Sequence, residues 1–158
     1  MTKIELLKAF AKGWFGNSQQ HSIHAQLLKA RGLNKLADKI MAESDEEWAE
    51  AKKVNARLIE LGETPVVEIE AYPVITDIKE MLEYDCKDAA EALPMMSKSL
   101  AMFDDDYVTR HMIEEFIIDS TFPHQNFRKP QKKCGIEEIK ILIKYEICSL
   151  SSTPSAVA

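Results

Sequence analysis

Residues 36–61 set three glutamates on a line that a helix would otherwise bury. At helical spacing the stripe reads Leu36, Ile40, Glu43, Glu47, Glu50, Val54, Leu58 and Leu61, apolar at both ends and acidic in the middle. A buried carboxylate has to be paired, protonated or bound to a metal ion. One reading therefore places a cation site inside a helical bundle. The other shifts the stripe by one residue, to Ala37, Met41, Ser44, Trp48, Ala51, Val54 and Leu58, and leaves the glutamates on a solvated flank.

The rest of the chain fits long helices. Only 5 glycines and 6 prolines punctuate 158 residues, a length natural for one domain with an adequate core. A first helix is predicted from residue 3 to about 30, on the line Ile4, Leu7, Ala11, Trp14, Ser18, His21, Ala25 and Leu28, with Gly13 and Gly16 weakening it and Gly32 capping it. A second runs from Asn34 to Leu61, where Gly62 and Pro65 stop it. The segment ETPVVEIEAYP suits an extended crossover. A third helix is expected over Thr76–Phe103, capped by Thr76 or Asp77, with Asp85 the one acid on its apolar line and Pro94 inside it. Asp106 caps a short fourth helix, DYVTRHMIEEFIID, which Pro123 ends. The expected layout is a bundle over residues 1–122, a linker over 123–135, a C-terminal helix or strand over 136–150, and a disordered tail over 151–158.

Charge is uneven. Residues 1–127 hold 14 Lys and Arg against 23 Asp and Glu, whereas residues 128–158 hold 6 against 3. Such a body attracts cations and repels nucleic acid. The widely spaced Cys86, Cys134 and Cys148 suggest neither a disulfide framework nor a zinc site. The N-terminal stretch lacks the continuous apolar region of a signal peptide, and no apolar run is long enough to span a membrane, so a cytoplasmic protein is expected. There is no glycine-rich phosphate loop and no nucleophile motif.

The candidate metal-ligating residues are Glu43, Glu47, Glu50, Asp85, Asp88, Glu115, Asp119 and His21. Carboxylates and imidazoles are the ligands that hard and borderline divalent ions take. His21 and His24, three apart, lie near one another on the first helix and supply half of a metal site, or else each is satisfied by a carboxylate. Glu115 and Asp119 share a helix face opposite Ile113, Phe116 and Ile117, as partners of a cation or as wet surface.

Two long helices, an extended crossover and two more helices resemble the layout of the ferritin-like bundle. The runs HAQLLKARGL and ESDEEWAEAKKVNARLIELGETP are similar to the first and second helices of bacterioferritins and Dps-like mini-ferritins. DIKEMLEYD and DYVTRHMIEEFIID are similar to the third and fourth. The resemblance covers residues 3–119 and implies an all-α ferritin-like four-helix bundle around a pair of iron ions, in a hollow oligomer that oxidises and stores iron.

Carried over residue by residue, the implied ligand set is altered. The first-helix glutamate falls on Trp14, or on Gly13 by a one-residue shift. Glu47 matches the second-helix glutamate, with Glu50 in the histidine's place. The third-helix glutamate falls on Ala89, and the fourth-helix Glu-x-x-His on Ser120 and Pro123, with His124 one residue late. The methionine that binds haem between bacterioferritin subunits is matched by Trp48, so no haem is expected. The resemblance thus implies an iron-binding or iron-storage protein with an impaired or altered ferroxidase site. Its alternative is a non-catalytic structural or interaction subunit, and ferroxidation is the only enzymatic activity in view. Self-association into a homo- or hetero-oligomer is implied as well. A DNA-protecting mini-ferritin ranks third, since RKPQKK at 128–133 is its only basic patch. The divergence beyond Ser120 has two readings, selection or an altered reading frame.

Overall fold

The computed structural model describes residues 1–121. Four helices account for most of them: α1 (Lys3–Ala30), α2 (Asn34–Glu60), α3 (Ile78–Ser99) and α4 (Tyr107–Thr121), with a tight 3-10 turn at Leu100–Phe103 between the last two. This is the expected all-α bundle with one long crossover and a short fourth helix. The segments expected at 123–135, 136–150 and 151–158 lie outside the described residues.

Local chemistry sets the boundaries. Thr2 starts α1 with a capping box that the sequence reading missed: its hydroxyl accepts from Glu5 N at 3.1 Å, and Glu5 accepts from Thr2 N at 2.7 Å. The pattern Thr-x-x-Glu was there to be read. α1 and α2 both end on a left-handed glycine, Gly32 at φ 79° and Gly62 at φ 78°. In each case the following amide reaches back five residues, Leu33 N to Leu28 O at 3.0 Å and Glu63 N to Leu58 O at 2.9 Å, the pairing that satisfies a helix's last carbonyls.

The third helix is shorter than the expected Thr76–Phe103. Asp77 accepts from Glu80 N at 2.9 Å and so stands outside the helix as its cap. At the other end the chain tightens into the 3-10 turn after the Ser99 hydroxyl takes Met96 O at 2.7 Å. Asp106 caps α4 as expected, accepting from Thr109 N at 3.1 Å. Arg57 of α2 clasps that cap, donating to Asp106 at 2.9 Å and to Thr109 Oγ1 at 2.8 Å.

The apolar core is in two parts. Leu6, Leu7, Phe10 and Ala11 of α1 meet Val54 and Leu58 of α2, Met96 of α3, Phe103, and Ile113 and Phe116 of α4. The second part gathers Ala25, Leu28, Leu33, Leu36, Ala37, Ile40, Met81 and Leu82. Between the two, α1, α2 and α3 all turn polar, at residues 17–24, 43–50 and 85–88 respectively. The buried line of α2 keeps Ser44 and Ala51 of the shifted stripe but leaves Trp48 of that stripe 44% exposed. The helix settles between the two readings, with Glu47 and Glu50 half-buried at the edge of the core.

The crossover is strapped to α1. Glu70 N donates to Lys12 O at 3.2 Å and Gln20 Nε2 to Pro73 O at 3.3 Å, while Asn55 of α2 exchanges two hydrogen bonds with Val66. Gly16 is the seat of this strap. A Cβ there would stand 2.5 Å from Glu70 O and 2.6 Å from the Tyr72 ring, so only glycine lets the two backbones approach. Among the described residues no helix is long and apolar enough to cross a membrane.

Candidate functional site

The polar band between the two core clusters is the candidate site. Below it, Ser18 and Ser44 brace α1 against α2: each hydroxyl donates to the other's carbonyl at 2.7 Å, which is possible only where small residues bring two helices close. This brace fixes the height of the residues one turn on. His21 then faces α2 and α3, with its Nδ1 2.8 Å from Glu47 Oε2 and its Nε2 3.8 Å from Asp85 Oδ1. The other oxygen of Asp85 accepts from His24 Nδ1 at 3.1 Å. Asn17 Nδ2 donates to Asp88 at 3.4 Å.

Burial shapes the electrostatics. The side chains of His21, Glu47 and Asp85 are 14%, 17% and 12% exposed. Burial alone would lower the His21 pKa. The hydrogen bond to Glu47 and the charges of Glu47, Asp85 and Glu43 outweigh it and raise it to about 9, so His21 is an imidazolium at neutral pH. Burial raises the carboxyls of Glu47 and Asp88, and the charge of Asp85 adds to it, against the lowering effect of His21 on both and of Asn17 on Asp88. Glu43, open to solvent over much of its side chain, is raised in the same direction by the protein around its carboxyl and by Glu47 and Asp85. Glu50, near Glu47 and Asp119, is pushed by burial up to about 8. Burial likewise raises the Tyr72 phenol, which the crossover sets beside Asp88 and Glu70.

Of the sequence candidates, the structure brings together His21, Glu47 and Asp85, with Glu43 and Asp88 around them. Glu50 stands one turn along α2. Glu115 and Asp119 are exposed on α4, Glu115 lying 3.5 Å from His111. The sequence placed only His21 on the buried line, yet His24 is the more buried, at 1% exposure. A step of three residues rotates a side chain by only about 60°, so both histidines fall within one apolar stripe of more than about 100°. Asn17 and the serine brace went unnoticed because their roles depend on what the neighbouring helices present.

Three atoms of the band, Asp85 Oδ1, His24 Nε2 and Asn17 Oδ1, are buried without a hydrogen-bond partner among the described residues. Also among the described residues, no three His, Cys, Asp or Glu side chains converge so as to hold a metal ion. α1 also meets α4 through aromatic rings. Trp14 stands edge-on to Phe116, with ring centroids 4.6 Å apart, and tilted against Phe10 at 5.6 Å.

Residues 5–127 match the family model described as the ferritin-like domain. The chain belongs to the ferritin-like family. A bacterial ferritin of Neisseria meningitidis serogroup B is 24% identical over 130 residues, covering 81% of this chain and 84% of that protein. A bacterial ferritin of Synechocystis is 26% identical over 138 residues, covering 83% and 88%. Among solved structures, the ferritin-like bundle superposes on Rhodobacter capsulatus bacterioferritin with a TM-score of 0.76 at 24% identity over both whole chains. It superposes on Desulfovibrio desulfuricans bacterioferritin, described with its diiron site in different catalytic states, with a TM-score of 0.78 at 20% identity, covering 98% and 90%.

Proposed function

We propose that this chain is an iron-storage subunit of the ferritin-like kind whose own dinuclear oxidation site is disabled. The observation that carries the reading is Trp14. By the family resemblance the first-helix glutamate falls on Trp14, or on Gly13 by a one-residue shift, and neither side chain can ligate a metal ion; the Trp14 ring closes against Phe116 at 4.6 Å and presents apolar surface instead of a carboxylate. The remaining positions fit a pair of ferrous ions no better. Glu47 is engaged by His21, and Ala89 offers no donor.

Iron is then cargo. The acidic excess of residues 1–127 draws ferrous ions to the protein, and storage depends on the assembly this chain joins. Exposed Trp48 on α2 and Ile23 on α1 suit contacts between subunits. Trp48 also lacks the thioether of the haem-binding methionine it replaces, which favours a subunit without haem. The second reading, a structural partner that handles no iron, rests on the same aromatic wall.

Anaerobic loading with ferrous ion followed by admission of air tests the proposal. We expect oxidation no faster than in protein-free buffer, with iron retained by the protein. Fast oxidation of about two ions per chain, the stoichiometry of a two-metal site, would overturn it. Failure to retain any iron would favour the structural partner.

A further inference from the structure

The extended crossover turns its apolar side outward. In ETPVVEIEAYP the alternate residues Glu68, Glu70 and Tyr72 face α1: Glu68 pairs with Lys12 at 3.2 Å, and the Glu70 backbone and the Tyr72 ring close on Gly16. The intervening row, Val67, Ile69 and Ala71, is left to solvent, with Val67 88% and Ile69 43% exposed. A strand covered on one side ordinarily does the reverse, apolar side in and polar side out. The described hydrogen bonds that fix this segment are made at Val66, Glu70 and Pro73, and none of them at Val67, Ile69 or Ala71. An apolar row on extended backbone whose edge offers N–H and C=O groups is a template for a further strand.

We propose that the chain's own C-terminal segment, residues 139–147, adds to this crossover as an antiparallel strand. The inference concerns the crossover alone and stands whether or not the assembly stores iron. Residues 139–147, outside the described ones, read IKILIKYEI, with Ile139, Ile141, Ile143, Tyr145 and Ile147 on one side if extended. Helix and strand are both open to this sequence by period alone. The crossover decides between them, because it provides an edge of the same period for β-branched and aromatic residues to cover.

Charge selects the same occupant. Residues 63–77 hold Glu63, Glu68, Glu70 and Asp77 without a lysine or arginine, whereas residues 128–158 hold 6 basic residues against 3 acidic. With Ile141 opposite Ile69, Ile139 meets Ala71 and Ile143 meets Val67, while on the other side Lys140 stands opposite Glu70 and Lys144 diagonal to Glu68. A second copy of the crossover paired about Ile69 would instead set Glu68 opposite Glu70, and like charges directly opposite are destabilising. Reach is ample: the stretch from Thr121 to Ile139 extends to about 60 Å, against about 40 Å for the whole of α2.

Disulfide trapping in the full-length chain tests the pairing, in a background with Cys86, Cys134 and Cys148 replaced by serine. Under mild oxidation I69C/I141C should form an intramolecular disulfide, located by mass spectrometry. I69C/L142C, whose second cysteine lies on the opposite side of the strand, should form at least about tenfold less. Adding K140E should lower the I69C/I141C yield, and adding E70K to that should restore it. Equal yields at 141 and 142, or a disulfide that joins two chains, would overturn the proposal. Hydrogen exchange of the unaltered protein gives a second reading that needs no variant to fold: amides of residues 139–147 should exchange at least about tenfold more slowly than an unstructured chain, and exchange at the unstructured rate would equally overturn it.

Discussion

His21 sits at the point where burial and charge oppose each other most strongly. Burial disfavours an imidazolium, but a hydrogen bond and three nearby carboxylates win and raise its pKa to about 9. A histidine raised above its unfolded value of about 6.5 contributes stability that is complete below that value and is lost as pH rises through 9. Glu50, raised to about 8, acts in the same direction, because the folded state holds a proton that the unfolded state has released above about pH 4.3. Thermal unfolding followed by circular dichroism should therefore show a melting temperature that falls between pH 7 and pH 10. In H21Q that fall should shrink and the melting temperature at pH 7 should drop, by the equivalent of about 2 kcal/mol. A histidine paired with a carboxylate was one of the readings legible in the sequence. That Glu47 and Asp85 would be the partners was not, since the pairing depends on how α1, α2 and α3 rotate against one another.

At the scale of elements, two glycines three residues apart on α1 have opposite meanings. Both cost the helix about 1 kcal/mol relative to alanine when considered alone. A Cβ on Gly13 meets nothing closer than 3.9 Å, so G13A should stabilise the protein by about 0.5–1 kcal/mol. At Gly16 the added Cβ collides with the Glu70 backbone at 2.5 Å, which a side-chain rotation cannot relieve. G16A should destabilise by about 1–3 kcal/mol, measured by denaturant unfolding, and loosen the crossover. The helices, their glycine caps and the caps at Asp77 and Asp106 were all readable from local chemistry, because those signals act within a few residues. The strap was not: ETPVVEIEAYP shows an extended segment, but nothing in it points to Gly16. The aromatic wall had the same character. Trp14 was visible as a misfit at a ligand position, whereas its contact with Phe116 required α4 to be in place.

The whole molecule is a ferritin-like bundle with an acidic polar band at its centre. Its two apolar clusters lie to either side of the polar band. A bundle of this kind still has faces to offer other subunits. Trp48, stacked edge-on to Phe15 with centroids 4.7 Å apart yet 44% exposed, is the most conspicuous. W48E should leave helicity unchanged and shift sedimentation velocity toward smaller species, as expected when a charge is placed in a desolvated interface. We propose that Trp14, Glu47 and Glu50 hold no pair of iron ions. This is tested most directly by soaking crystals anaerobically with ferrous ion and calculating an anomalous difference map at the iron edge. No peak is expected between α1 and α2 at that level; two peaks about 3.5–4 Å apart beside Glu47 and Glu50 would show an intact dinuclear site.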